Sequence, residues 1–141
     1  MRNKNSKYCN CLYYASNALS RIMTKMADEA FATTGLSSSY AFLLMTVIDN
    51  PGIQPKEISE KMQLTASTIT RLVEKMEFRG YLIRKNVGRA SEVYPTKDAI
   101  ALQPKIKEAW SNLYKKYSEV LGVKSGQQLT SDIYEATMKF Q

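Results

Sequence analysis

The sequence has no histidine and only two cysteines, Cys9 and Cys11, in 141 residues. General acid–base catalysis commonly relies on a histidine or a buried carboxylate pair, and neither is evident: Asp28-Glu29 reads as the polar side of a helix. Two cysteines without a histidine do not complete a zinc site, so no metal and no cofactor is expected. The six glycines are scattered rather than gathered into a loop that could cradle phosphate. Long apolar runs are also missing. The longest, around Tyr40 to Val47, falls far short of the roughly 18 residues a bilayer span needs. The basic start, Met1 to Lys7, leads into Cys9, Asn10, Ser16 and Asn17 rather than an apolar signal core. These absences argue against an enzyme and against a membrane protein, and the expected location is the cytoplasm.

What is present is a basic chain of ordinary folded composition, 44% apolar and 23% charged, with a net charge of +7. Its charge is unevenly spread. Residues 54–97 hold nine Lys and Arg against five Glu, a net of +4, so more than half the excess lies in under a third of the chain. A local positive surface of this kind attracts polyanions.

Helical periodicity organises most of the sequence. Leu12, Ala15, Leu19, Ile22, Met23, Met26 and Ala30 recur at spacings of three and four, which predicts a helix over 8–33 stopped by Gly35. With Tyr13, Tyr14 and Phe31 off that stripe, the helix is apolar around much of its circumference, as expected when a partner subunit covers a second side. A second helix is expected over 36–49, capped by Ser37 or Ser38 and ended by Asn50-Pro51-Gly52. A third opens at Gln54-Pro55 and turns Ile58 and Met62 inward. After Gln63-Leu64-Thr65, residues 66–79 carry Ile69, Leu72, Val73 and Met76 as a core stripe and Ser67, Thr68, Thr70, Arg71 and Lys75 on the other side. Gly80 supplies a left-handed cap. Tyr81 to Arg84 reads as a strand, 85–91 as a polar loop and Glu92 to Thr96 as a returning strand. Helix-turn-helix followed by a basic hairpin is the pattern of a winged helix.

The outer face of residues 66–79 suits DNA. Short hydroxyls allow close approach, the helix N-terminus favours anions, and Arg71 is long enough to bridge guanine acceptors in the major groove. Thr65 reads either as the helix cap or as a base contact. Ser67, Thr68, Thr70 and Arg71 are candidate groove contacts, whereas Lys56, Lys75, Arg84 and Lys85 suit phosphate neutralisation, which fixes register without reading bases.

The runs EISEKMQLTASTITRLVEKMEFRGYLIRK and GRASEVYPTKDA, with long flanking helices, resemble the MarR family of dimeric bacterial winged-helix transcription regulators, over essentially the whole chain. The resemblance implies that Arg89, at the family's wing arginine, enters the minor groove, where narrow A·T-rich DNA attracts a guanidinium. Val87 stands where the family usually has an aspartate, Pro95-Thr96 replaces Leu-Thr, and Ala99 replaces a glycine.

Helices over 100–121 and 125–140, separated by Gly122, exceed what a winged domain needs. The expected fold is mainly α with a small β-hairpin. A winged helix-turn-helix (36–97) is flanked by helical dimerisation segments (1–35 and 98–141), all in one intertwined domain. Two-fold pairing would space the recognition helices about 34 Å apart, one turn of DNA, over an inverted-repeat operator. The expected function is thus a sequence-specific, homodimeric regulator of double-stranded DNA, a repressor released by a small molecule. A small apolar or phenolic effector between the helical and winged parts would meet Tyr13, Met26, Tyr40 and Met45. A second reading rests on CNCLYYAS, which is similar to a peroxide-sensing subgroup of the family. On that comparison Cys9 matches the reactive cysteine and Tyr13 a supporting tyrosine, while Met23 takes the place of a second. Cys9 and Cys11 face different sides and do not readily pair within one chain. A third reading, a winged helix used for protein contact, would favour an acidic outer face on 66–79, and that face is basic.

Overall fold

The first helix begins later than its apolar stripe suggests. In the computed structural model, which describes residues 6–141, residues 7–10 form a turn and α1 runs from Leu12 to Phe31. The turn satisfies its own backbone: Tyr8 N–H donates to Ser6 Oγ and Cys11 N–H to the Tyr8 carbonyl. Cys11 is then the N-cap, with extended backbone and no side-chain capping bond. The expected start at residue 8 is therefore corrected to 12, and Cys9 precedes the helix. A 3-10 turn, Ala32–Thr34, ends at Gly35, whose φ of 75° is the left-handed conformation that glycine adopts without strain.

Helix α2 (Ser38–Asp49) follows the N-cap Ser37, whose side chain makes no capping bond; instead Asp28 of α1 accepts from the Ser38 N–H at 2.9 Å. Helix α3 (Pro55–Met62) has proline in its first turn and a capping box in which Gln54 and Glu57 satisfy each other's backbone. Gln63, at φ 56°, turns the chain into α4 (Ala66–Phe78). Ser59 Oγ donates to the Leu64 carbonyl at 2.5 Å and fixes that turn.

The wing is longer and tighter than the sequence suggests. Strand β1 covers Leu82–Val87 and β2 covers Ala90–Pro95, antiparallel, with Leu82 opposite Pro95 and Val87 opposite Ala90. The expected loop over 85–91 is mostly strand, because a two-residue turn at Gly88-Arg89, with Gly88 at φ 62°, closes the hairpin. Ile53, bridged to Val93, ties the wing to the α2–α3 turn. Helix α5 spans Lys97–Leu121; it starts three residues early because Thr96 caps it by accepting from the Ala99 N–H. Helix α6 spans Val123–Lys139.

One hydrophobic core runs from Phe31 and α2 through Ile58, Ile69, Val73 and Met76 to Val93, Ile106 and Leu113. It joins the winged part to α5, and α5 packs on α1. Among the described residues no single helix is long and apolar enough to cross a membrane.

Candidate nucleic-acid interface

Helix α4 is anchored by its inner face and free on its outer one. Ile69, Val73 and Met76 are essentially inaccessible, held by α2, α3 and the wing strand β1. A rotation of about 100° per residue puts Ser67, Arg71, Glu74 and Phe78 along the opposite side, all exposed. Glu74 and Phe78 are additions to the expected face. Phe78 is 93% accessible, an unusual position for a phenyl ring in a chain this size. The signal for both lay in the same 3-4 spacing that singled out Arg71.

The hydroxyls at the helix start are already organised. Thr65 caps the helix by accepting from the Thr68 N–H at 3.3 Å, and its Oγ1 lies 2.8 Å from the Thr68 hydroxyl and 3.3 Å from that of Ser67. Thr70 donates back to the Ala66 carbonyl at 3.0 Å. These bonds preorganise the hydroxyls, each of which keeps acceptor capacity.

The expected cations of α4 and the wing divide into two groups. Arg71, Lys75 and Arg89 enter no ion pair among the described residues, and Arg89 occupies the tip of the wing. Arg84 and Lys85 are tied down. Arg84 Nε meets Glu77 Oε1 at 2.7 Å, joining the wing to α4, and Lys85 Nζ lies 5.0 Å from the Tyr94 ring centre. Tyr94 donates its hydroxyl proton to Glu92 at 2.7 Å; that carboxylate, with some desolvation, raises the phenol above its ordinary range. The two expected phosphate neutralisers on β1 thus hold the wing together as well. Sequence spacing alone could not reveal the Arg84–Glu77 pair, because it depends on how the strand leaves Gly80.

A family model described as the MarR family matches residues 34–90, from the end of α1's 3-10 turn to the tip of the wing. Over these residues the chain is similar to the MarR family. The family consists of transcription regulators rather than enzymes. The Escherichia coli protein "HTH-type transcriptional regulator PapX" is 30% identical over 99 residues, 61% of this chain and 60% of PapX, so the match spans less than two thirds of that relative's length. Two solved structures share the MarR fold at low identity. The transcriptional repressor CouR, bound to a 23-mer DNA duplex, superposes with a TM-score of 0.85 at 18% identity, over 97% of this chain and 99% of CouR. The MepR–DNA complex from S. aureus gives 0.79 at 16% identity, over 92% and 98%. These likenesses show the winged-helix fold over the MarR-type flanking helices as well as over the matched 34–90 stretch.

The expected effector residues do not converge within one chain. Tyr13 is 79% exposed near the start of α1, whereas Met26 and Tyr40 are half-buried against the core. Met45 alone lines a cleft, of about 350 Å³, shared with Phe42, Thr46, Asp49, Lys61 and Trp110. This cleft lies where α2 and α3 meet α5, and Trp110 stacks edge-on against Phe42 at 6.2 Å. In the sequence Trp110 reads as one of the apolar core residues of the helix over 100–121, not as a site residue. Cys9 and Cys11 are both exposed free thiols. No cluster of three metal-ligating side chains occurs among the described residues.

Proposed function

We propose that the protein is a homodimeric transcription repressor that reads an inverted-repeat operator in double-stranded DNA. The observation that carries this reading is the outer face of α4, anchored by its core stripe and presenting capped hydroxyls with Arg71 and Lys75, which enter no ion pair among the described residues. The DNA-bound CouR and MepR structures support it.

The dimer rests on the flanking helices. Leu12 is 71% exposed, Val120 76% and Phe140 84%, and a groove of about 510 Å³ between α1 and α6 is lined by Leu19, Met23, Leu129 and Ile133. A second copy covering these apolar faces would close the two-fold arrangement and bring two α4 helices to successive turns of one DNA groove.

Release would follow effector binding in the cleft between Phe42, Met45, Lys61 and Trp110, because that site touches both the helical part and the winged part. An effector shifts DNA affinity only if it binds the two geometries differently. CouR also has a structure bound to p-coumaroyl-CoA, which supports a phenolic effector. A second reading, oxidant sensing, is favoured by the solvent-exposed Cys9, since thiol oxidation requires access.

The test is enrichment of bound sequences from a random duplex pool, followed by titration of the winning site with salt, phenolic acids and organic peroxide. A two-fold symmetric site with half-sites a helical turn apart is expected, with release by a phenolic ligand. Release by peroxide that disappears in Cys9→Ser selects the second reading. Weak, purely salt-driven binding with no enriched sequence would overturn both and turn attention to protein partners.

A further inference from the structure

The outer face of α4 carries one acid that phosphate attraction does not explain. Glu74 is exposed between Arg71 and Phe78, on the stripe opposite Ile69, Val73 and Met76. Among the described residues it joins no ion pair, the acid that does so being Glu77 with Arg84. Three residues beyond Arg71, it stands about 4.5 Å further along the helix axis, close to the roughly 3.4 Å of one base step.

A carboxylate facing a duplex repels phosphate and lowers affinity for every sequence. That cost is offset only where a base edge offers a donor. In the major groove the donors are the amino groups of cytosine and adenine, and adenine places its N7 acceptor beside its amino group, which repels a second carboxylate oxygen. Cytosine carries no such acceptor on its exposed edge. We propose that Glu74 is a specificity residue that accepts a hydrogen bond from a cytosine amino group in each half-site, within a base step or two of the guanine bridged by Arg71. The inference rests on the reading of α4 as the major-groove helix. It adds to that reading a base preference and a reason for an acid on a basic surface: Glu74 penalises wrong sequences as much as it rewards the right one.

The experiment compares sequences enriched from a random duplex pool by the full-length protein and by Glu74→Gln and Glu74→Ala. The parent is expected to prefer cytosine about tenfold at one position per half-site. Glu74→Gln is expected to move that preference to adenine, whose N6 and N7 match a carboxamide's acceptor and donor, with other positions unchanged. Glu74→Ala is expected to accept any base there and to bind random duplex more tightly. A gained preference for adenine cannot arise from misfolding. If both variants keep the parent's preference at every position, Glu74 does not read bases, while the regulator reading stands. If the parent itself enriches no sequence, the reading of α4 fails and the assignment of Glu74 falls with it.

Discussion

The winged part of the molecule and its helical flanks bury their apolar residues to very different degrees. In α2, Leu43, Leu44 and Val47 are wholly inaccessible, and Ile58, Ile69 and Met76 match them. In α1, the end of α5, and α6 with its C-cap, by contrast, Leu12, Ile22, Val120, Ile133 and Phe140 remain between 46% and 84% exposed. Both regions are rich in leucine, isoleucine and methionine at helical spacing, so the difference is one of available partners. The winged part completes its core within the chain and so holds α4 rigidly. The flanks have apolar surface that one chain does not cover, as expected of an interface between copies.

Mutations that exploit this contrast should differ in what they break. The largest effect is expected for Leu44→Ala, which leaves a cavity in the finished core and should cost about 2–5 kcal/mol in urea unfolding. A loss below about 1 kcal/mol would mean that the core is looser than its burial indicates. Replacing Ile133 and Phe140 together by aspartate should cost the dimer about 2–4 kcal/mol, read by sedimentation, and should spare the secondary structure. If that variant unfolds as a monomer, the flanks support the fold rather than the assembly.

On the DNA side the expected effects are smaller and differ in kind. Arg71→Ala should cost about 1–3 kcal/mol on the selected operator and relax its sequence preference. Lys75→Ala should weaken all sequences alike and reduce the salt slope by about one unit. Equal losses on specific and random DNA for both variants would remove Arg71 as a reader. Thr65→Ala should lower stability by about 1 kcal/mol through loss of the α4 cap. Breaking the half-exposed Arg84–Glu77 pair with Glu77→Ala should change stability least, by about 0–1 kcal/mol, its effect falling mainly on wing order.

The sequence made the helix-turn-helix legible because each boundary there has a local chemical cause: Pro55, Thr65 and Gly80 act within a few residues of their own position. The wing looks shorter in the sequence because Lys85, Asn86, Arg89 and Ser91 resemble loop residues, while the strand length is set by pairing across a two-residue turn. The start of α1 falls four residues later than its periodicity suggests, because an apolar stripe does not show where a helix is capped. At the candidate site, spacing puts Arg71 and Lys75 on the outer side of α4, where the structure has them exposed, but does not show the ties on Arg84 and Lys85, which depend on tertiary neighbours. The effector residues scattered for the same reason: Met45 reaches the cleft, but its neighbours Lys61 and Trp110 come from helices distant in sequence.

The central claim is that paired flanks hold two α4 helices one turn of DNA apart. It is tested most directly by the affinity of the selected operator with and without five base pairs inserted at its centre. The insertion rotates one half-site to the opposite face of the duplex, and the account predicts a loss of at least about a hundredfold, toward the level of random DNA. Unchanged affinity would contradict it, showing that each chain binds its half-site alone.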